Sequence, residues 1–407
     1  MPKSSMVRWI TLFWGVSVFF PIGLNYAAFL ALLLGLLVQG RWRERWERLR
    51  REPNWWPSLL LLAWAALVLL VGARYPETPS NALHLLRVIL MLWMVLMLTA
   101  EEAAWAVRGF CMGLIASLVL MGLNRLVGLP ASTVWESLLY YSGNKSIANA
   151  ILLALSAVSG LLLAPWLRGK GRVAAVLVSL GALCALIWML PSRTALLIVL
   201  VTAAAGVLHQ FRARYRHQLM LMVAMGGLVV ATGLLAPQVK ERLVLGVSEI
   251  TRAHQGQVVG HASSWGIRYR MYETTLDMIE ERPWMGWGVG AWNQQWRQRI
   301  DPALADYNMP HNDFLWIGSQ TGVPGVLLLL LTVAAGLPRA WRRRDLSGRL
   351  GVVALLTMLM ALAVNSALRD AAIGLTLWFA VLVWQRLSTE PPERWLQALQ
   401  PQHHEAV

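Results

Sequence analysis

Residues 22–39 read IGLNYAAFLALLLGLLVQ, and residues 40–51 read GRWRERWERLRR. The first stretch carries no charged side chain over a length that, as a helix, matches the hydrocarbon core of a bilayer. The second is crowded with arginine. An apolar run closed by a basic cluster marks a helix that crosses a membrane and stops where positive charge is retained. The pattern recurs near 8–20, 55–73, 81–100, 109–127, 147–166, 173–190, 194–210, 218–236, 312–336, 350–368 and 372–387. The expected fold is therefore an all-α polytopic membrane protein of about 12 transmembrane helices.

Composition agrees. Of the 407 residues 57% are hydrophobic and only 14% charged, with a mean hydropathy of +0.52. A soluble domain has about 45–50% apolar and about 25% charged residues, so this chain lacks the charge to cover a soluble surface. Disordered, collagenous and disulfide-rich secreted classes are excluded by the same figures. Cys111 and Cys184 lie inside apolar runs and read as small core hydrophobes.

The net charge of +15 would point a soluble protein toward nucleic acid. Here the excess sits in alternate connections: Arg41 to Arg51, Arg108, Arg168 to Arg172, Arg212 to Arg216, and Arg339 to Arg349. The connections opposite hold only Arg74, Arg125, Lys145, Arg193 and Arg369 among their short loops. That bias predicts cytoplasmic termini and no nucleic-acid partner. Lys3 and Arg8 precede the first run without a small-residue cleavage site, so the N-terminus reads as retained.

One connection is far longer than the others. The expected organisation is a transmembrane bundle of about nine helices over 1–236, then a large non-cytoplasmic loop over 237–310. Helices ten to twelve follow over 311–387, then a cytoplasmic tail over 388–407. A long ordered insertion on one face of a bundle usually carries function. Within it, 254–266 is rich in Gly, Ser and His and reads as either a gate or a loop tip.

Residues 266–282 predict a helix closed by Pro283. At about 100° per residue, Ile267, Met271, Tyr272, Thr275, Leu276, Met278 and Ile279 share one half of the wheel. Glu273, Asp277, Glu280 and Glu281 share the other. Arg268 falls inside the apolar arc and Arg270 among the acids, with Glu273 as its local partner. An inward guanidinium needs carbonyls or an anion to meet it.

Gly286, Gly288 and Gly290 do not have dinucleotide spacing. Alternate glycines allow tight turns and close approach to another surface or a phosphate. Trp284, Trp287, Trp292 and Trp296 read as an interfacial belt rather than as platforms for sugars. Farther on, Pro310 halts the chain, Asn312 or Asp313 can cap the next helix, and His311 sits at its N-terminus. The positive end of a helix disfavours imidazolium, so His311 is expected to be neutral and able to accept a proton. Arg193, between two runs with almost no loop, is held at the external interface. Lys145 beside Asn144 is a weaker external cation, and Arg87 lies within a span where it needs a partner.

The ordered set Ser192-Arg193, Arg268 with Tyr272, Arg282-Pro283 with Gly286, Gly288 and Gly290, and His311-Asn312 with Leu315 and Gly322 resembles the O-antigen ligase/polymerase superfamily of membrane glycosyltransferases. The resemblance implies a GT-C-like helical architecture and an undecaprenyl-pyrophosphate-linked glycan donor used at the periplasmic face of the bacterial inner membrane. Within the superfamily the chain is most similar to O-antigen ligases, which transfer O-antigen polysaccharide to lipid A-core oligosaccharide in lipopolysaccharide biosynthesis. The short sequence after the last span points the same way.

On that resemblance His311, Arg193 and Arg268 are the catalytic candidates. Arg193 and Arg268, with Arg270, Lys145, Asn312 and Gly288, are the substrate-binding ones. Guanidinium groups suit a diphosphate because they stay charged and bind its oxygens in pairs. No metal-binding motif is present and no cofactor is implied. An O-antigen polymerase, a protein O-oligosaccharyltransferase and, more distantly, a lipid or sugar transporter are the alternatives. A transporter would place ionisable groups deep within several spans.

Overall fold

The computed structural model describes residues 3–140, 143–235, 248–249, 251–252, 254–255 and 264–399. Among them all regular structure is helical. The N-terminal half comprises α1 (Lys3–Ser17), α2 (Ile22–Gln39), α3 (Trp42–Arg50), α4 (Trp55–Val71), α5 (Thr78–Leu96), α6 (Ala100–Val127) and the short α7 (Glu136–Leu139). Then come α8 (Gly143–Leu163), α9 (Gly169–Trp188), α10 (Arg193–Gln210) and α11 (Tyr215–Leu235). The loop contributes α12 (Ser264–Glu281) and α13 (Trp292–Arg299). The chain continues with α14 (Asp313–Ala334), α15 (Leu337–Arg342), α16 (Leu346–Val364), α17 (Ala371–Gly374), α18 (Leu377–Leu387) and α19 (Pro392–Leu399).

Each of the twelve predicted apolar runs overlaps a helix, the last being divided between α17 and α18, but fewer than twelve helices have the length and hydropathy of a span. Among the described residues eight helices are long and apolar enough to cross a membrane, and α3 with α4, bent by 90°, makes a possible ninth. The protein is a multi-pass membrane protein. Most of the predicted gate at 254–266 lies outside the described residues, as do 237–247 of the loop.

Local chemistry starts the helices where the sequence turns polar. Thr99 and Glu102 form a reciprocal capping box at α6, and Ser192, Asp345 and Asp370 each cap the helix they precede. Of the two possible caps at α14 it is Asn312 that accepts from Phe314 and Leu315. Not all of the basic cluster after α2 faces outward. Arg45 is buried and pairs with Glu102 at 2.7 Å, which tethers α3 to the start of α6.

Two expectations fail. Cys111 and Cys184 are exposed on the outside of the bundle and not in its core. An apolar run supplies lipid-facing as well as core-facing positions, and hydropathy alone does not distinguish them. Trp292 and Trp296 are not an interfacial belt: they are buried and stacked at 5.3 Å, with their indole N–H groups on Thr275 Oγ1 and Leu304 O. They form the inside of the loop. The last segment is also packed, since Trp395 of α19 is buried and donates to Ser347.

Small residues let α1 lie directly on α6. A Cβ on Gly109 would come within 2.0 Å of Leu12 O, and one on Gly15 within 2.2 Å of Ala106 O. Gly109→Val should therefore push the two helices apart and destabilise the fold by about 1–3 kcal/mol or more. The expected result is a lower melting temperature in detergent. An unchanged melting temperature would contradict this packing.

Candidate active site

The end of α16 supplies the platform. A helix leaves its last carbonyls without internal partners. Asn312 Nδ2 donates to Ala363 O at 2.9 Å, Tyr272 Oη to the same oxygen at 3.4 Å, and Arg268 Nη1 to Val364 O at 3.2 Å. Tyr272 also reaches His311 O at 3.2 Å. So α12 and the cap of α14 meet on one helix terminus and bring Arg268, Tyr272, His311 and Asn312 together.

The wheel predicted for α12 holds in most positions. Ile267, Met271, Thr275 and Met278 are buried, and Arg268 is half-buried on their side. Leu276 is the exception at 48% exposure, because the buried arc is narrower than half a turn. Arg270 pairs with Glu273 at 2.9 Å, as the acid side of the wheel predicts.

His311 itself has φ +52. That left-handed conformation is uncommon outside glycine, and such strain collects at functional sites. Burial, then the guanidinium groups of Arg268 and Arg369, pushes its imidazole down to about 4, with Asp370 opposing them. Burial and these cations favour the neutral imidazole, where a helix terminus was the expected cause.

The other predicted residues lie in different surroundings. Arg193, exposed at the first position of α10, has its guanidinium 5.7 Å from the ring centroid of Trp265, three residues ahead of Arg268. It thus borders the same helix without bonding to His311 or Arg268 among the described contacts. Lys145 Nζ donates to Val18 O, while its neighbour Asn144 donates to Asp370. Gly288 is engaged by protein. Its amide donates to Gln320 O at 3.0 Å, and a Cβ there would lie 2.8 Å from Ala73 O. Close packing explains that glycine, so its amide is not offered to a phosphate.

The neighbouring glycines do the same. Gly286 and Gly290 press on Gln320 and Thr78, and Gly322, at φ +72 inside α14, admits the carbonyl of Trp284. Val323 N then donates to Pro283 O at 2.7 Å. The motif glycines therefore dock the loop onto a kink in α14.

Residues 189–330 match the O-antigen ligase family. The match covers about a third of the chain and spans Ser192 through Gly322, the stretch that carried the sequence resemblance. It supports a ligase/polymerase-type membrane glycosyltransferase. No curated protein matches the chain.

Arg369 lies outside the ligase-family segment and was counted in the sequence only toward charge bias. The sequence placed it in one of the few basic connections on the side of Lys145 and Arg193, and no local signal placed it beside His311. Among the described residues no group of three His, Cys, Asp or Glu side chains could hold a metal ion.

His311 is expected to remain uncharged in the ligand-free protein from pH 8 to pH 5 and to take up its proton near pH 4. A depressed imidazole pKa keeps the neutral form populated at every pH above it. NMR titration of histidine-labelled protein against His311→Gln reads this directly. A midpoint above about 6, the ordinary range for histidine, would contradict the buried, cation-flanked setting.

Proposed function

We propose that the chain transfers O-antigen polysaccharide from undecaprenyl pyrophosphate to lipid A-core oligosaccharide at the periplasmic face of the bacterial inner membrane. The observation that carries this reading is the convergence of His311, Arg268 and Tyr272 on the end of α16, in the segment that matches the O-antigen ligases. The charge bias of the connections supports cytoplasmic termini and a periplasmic site.

In this reading the hydroxyl oxygen of the acceptor sugar attacks the anomeric carbon. The bond from that carbon to the pyrophosphate oxygen breaks, and His311 takes the hydroxyl proton. Direct displacement inverts the anomeric centre and leaves no glycosyl-enzyme. Arg268 and Arg193 hold the pyrophosphate and stabilise the charge that grows on it, so the reaction proceeds without a metal. Asn312 steadies the platform through Ala363 O, while Lys145 is engaged by Val18 O. Arg270, already paired with Glu273, is an auxiliary at most. The lipid tail of the donor lies along the apolar helices.

Removing one aimed charge donor costs about 10²–10³ in rate. With purified protein, labelled donor and lipid A-core acceptor, His311→Ala, Arg268→Ala and Arg193→Ala are each expected to lose transfer on that scale. Arg270→Ala should lose less than about tenfold, because its charge is already neutralised locally. Full activity in His311→Ala removes the proposed base. Supplying a second lipid-linked glycan or a protein as the sole acceptor tests the polymerase and protein O-oligosaccharyltransferase alternatives, and turnover in detergent without a gradient excludes a transporter.

A further inference from the structure

The turn from Ala367 to Asp370, between α16 and α17, is gripped on both its donors and its acceptors. Asp313, buried at 0% exposure, accepts from Leu368 N at 2.8 Å and Arg369 N at 3.3 Å. Arg87, also buried, donates from Nη2 to Leu368 O at 2.6 Å and Arg369 O at 3.1 Å. Its other nitrogen reaches Tyr26 Oη at 3.4 Å. Asp370 caps α17 through Ala372 N and Ile373 N and accepts from Asn144 with its second oxygen.

Burying an acid and a guanidinium is costly, and here both serve to hold the main chain of one short turn. What that turn presents is the side chain of Arg369. Its Nε is buried without a hydrogen-bond partner, and among the described residues it forms no ion pair. Asp313 lies two residues after His311, so the grip ties Arg369 to the strained histidine. Arg268, by contrast, already gives one nitrogen to Val364 O.

We propose that Arg369 is a third guanidinium of the diphosphate site, and that Asp313 and Arg87 are positioning residues that hold it beside His311. This rests on the reading of the site as one for a prenyl-diphosphate-linked donor. Asp370 follows Arg369 directly in the chain, so the turn adds an aimed cation with an acidic side chain next to it. An anion arriving there meets donors whose main chain cannot move away. That is preorganisation of the kind that makes charge stabilisation effective.

The test uses the full chain in detergent with geranylgeranyl pyrophosphate as a probe that carries no glycan, and geranylgeraniol as its uncharged control. Arg369→Gln is expected to weaken the pyrophosphate probe at least about tenfold and leave the alcohol unaffected. Asp313→Asn should raise the KM for the glycan donor by a similar factor while kcat changes less. In the Arg369→Gln background it should add almost nothing, as coupling through one residue requires. Costs that multiply would overturn the positioning role. Should Asp313→Asn not fold, as read by its melting temperature, the Arg369→Gln arm still decides. If His311→Ala is inactive while Arg369→Gln binds the probe like the parent protein, this inference alone fails. If the parent protein ignores the probe and His311→Ala stays active, the diphosphate reading fails with it.

Discussion

The last two carbonyls of α16 determine where everything else at the candidate site stands. Inside a membrane protein an unpaired carbonyl near the low-dielectric region is costly, and water is not freely available to satisfy it. Ala363 O and Val364 O take their partners from Asn312, Tyr272 and Arg268, which belong to α12 and to the cap of α14. Three segments far apart in sequence are thereby pinned to one point. The carbonyl end of a helix also attracts cations, so Arg268 gains by being there.

The second constraint is electrostatic. A half-buried imidazole flanked by guanidinium groups loses its proton at ordinary pH, since both burial and neighbouring cations oppose imidazolium. The same cations favour a bound anion. A diphosphate placed among them would cancel part of their field and raise the basicity of His311. The imidazole would then become a better proton acceptor when the donor is present, and a poor one when it is not.

Much of this architecture was readable in advance because it follows from local rules. Hydropathy over about 20 residues marks a helix whatever its neighbours, and among the described residues eight helices are long and apolar enough to cross a membrane. The α12 wheel separated Arg268 from Arg270 because side-chain direction on a helix depends only on position. The glycines at 286, 288 and 290 were correctly read as places of close approach. Whether protein or phosphate approached them was not readable, and Gln320, Ala73 and Thr78 turn out to be the neighbours. Cys111, Cys184, Trp292 and Trp296 were misplaced for a related reason: an apolar side chain suits lipid, interface and core alike.

The order of residues alone was enough to specify a helical membrane protein, its charge asymmetry and an arginine–histidine set in and beside one long connection. Periodicity and charge act over a few residues and need no partner. Three-dimensional packing was required to bring Asp313 to Leu368, 55 positions away, and so to bring Arg369 to His311. It also replaced a helix terminus with burial as the reason the imidazole is neutral. Such pairings depend on which helix ends share a layer of the bundle, and no local pattern encodes that.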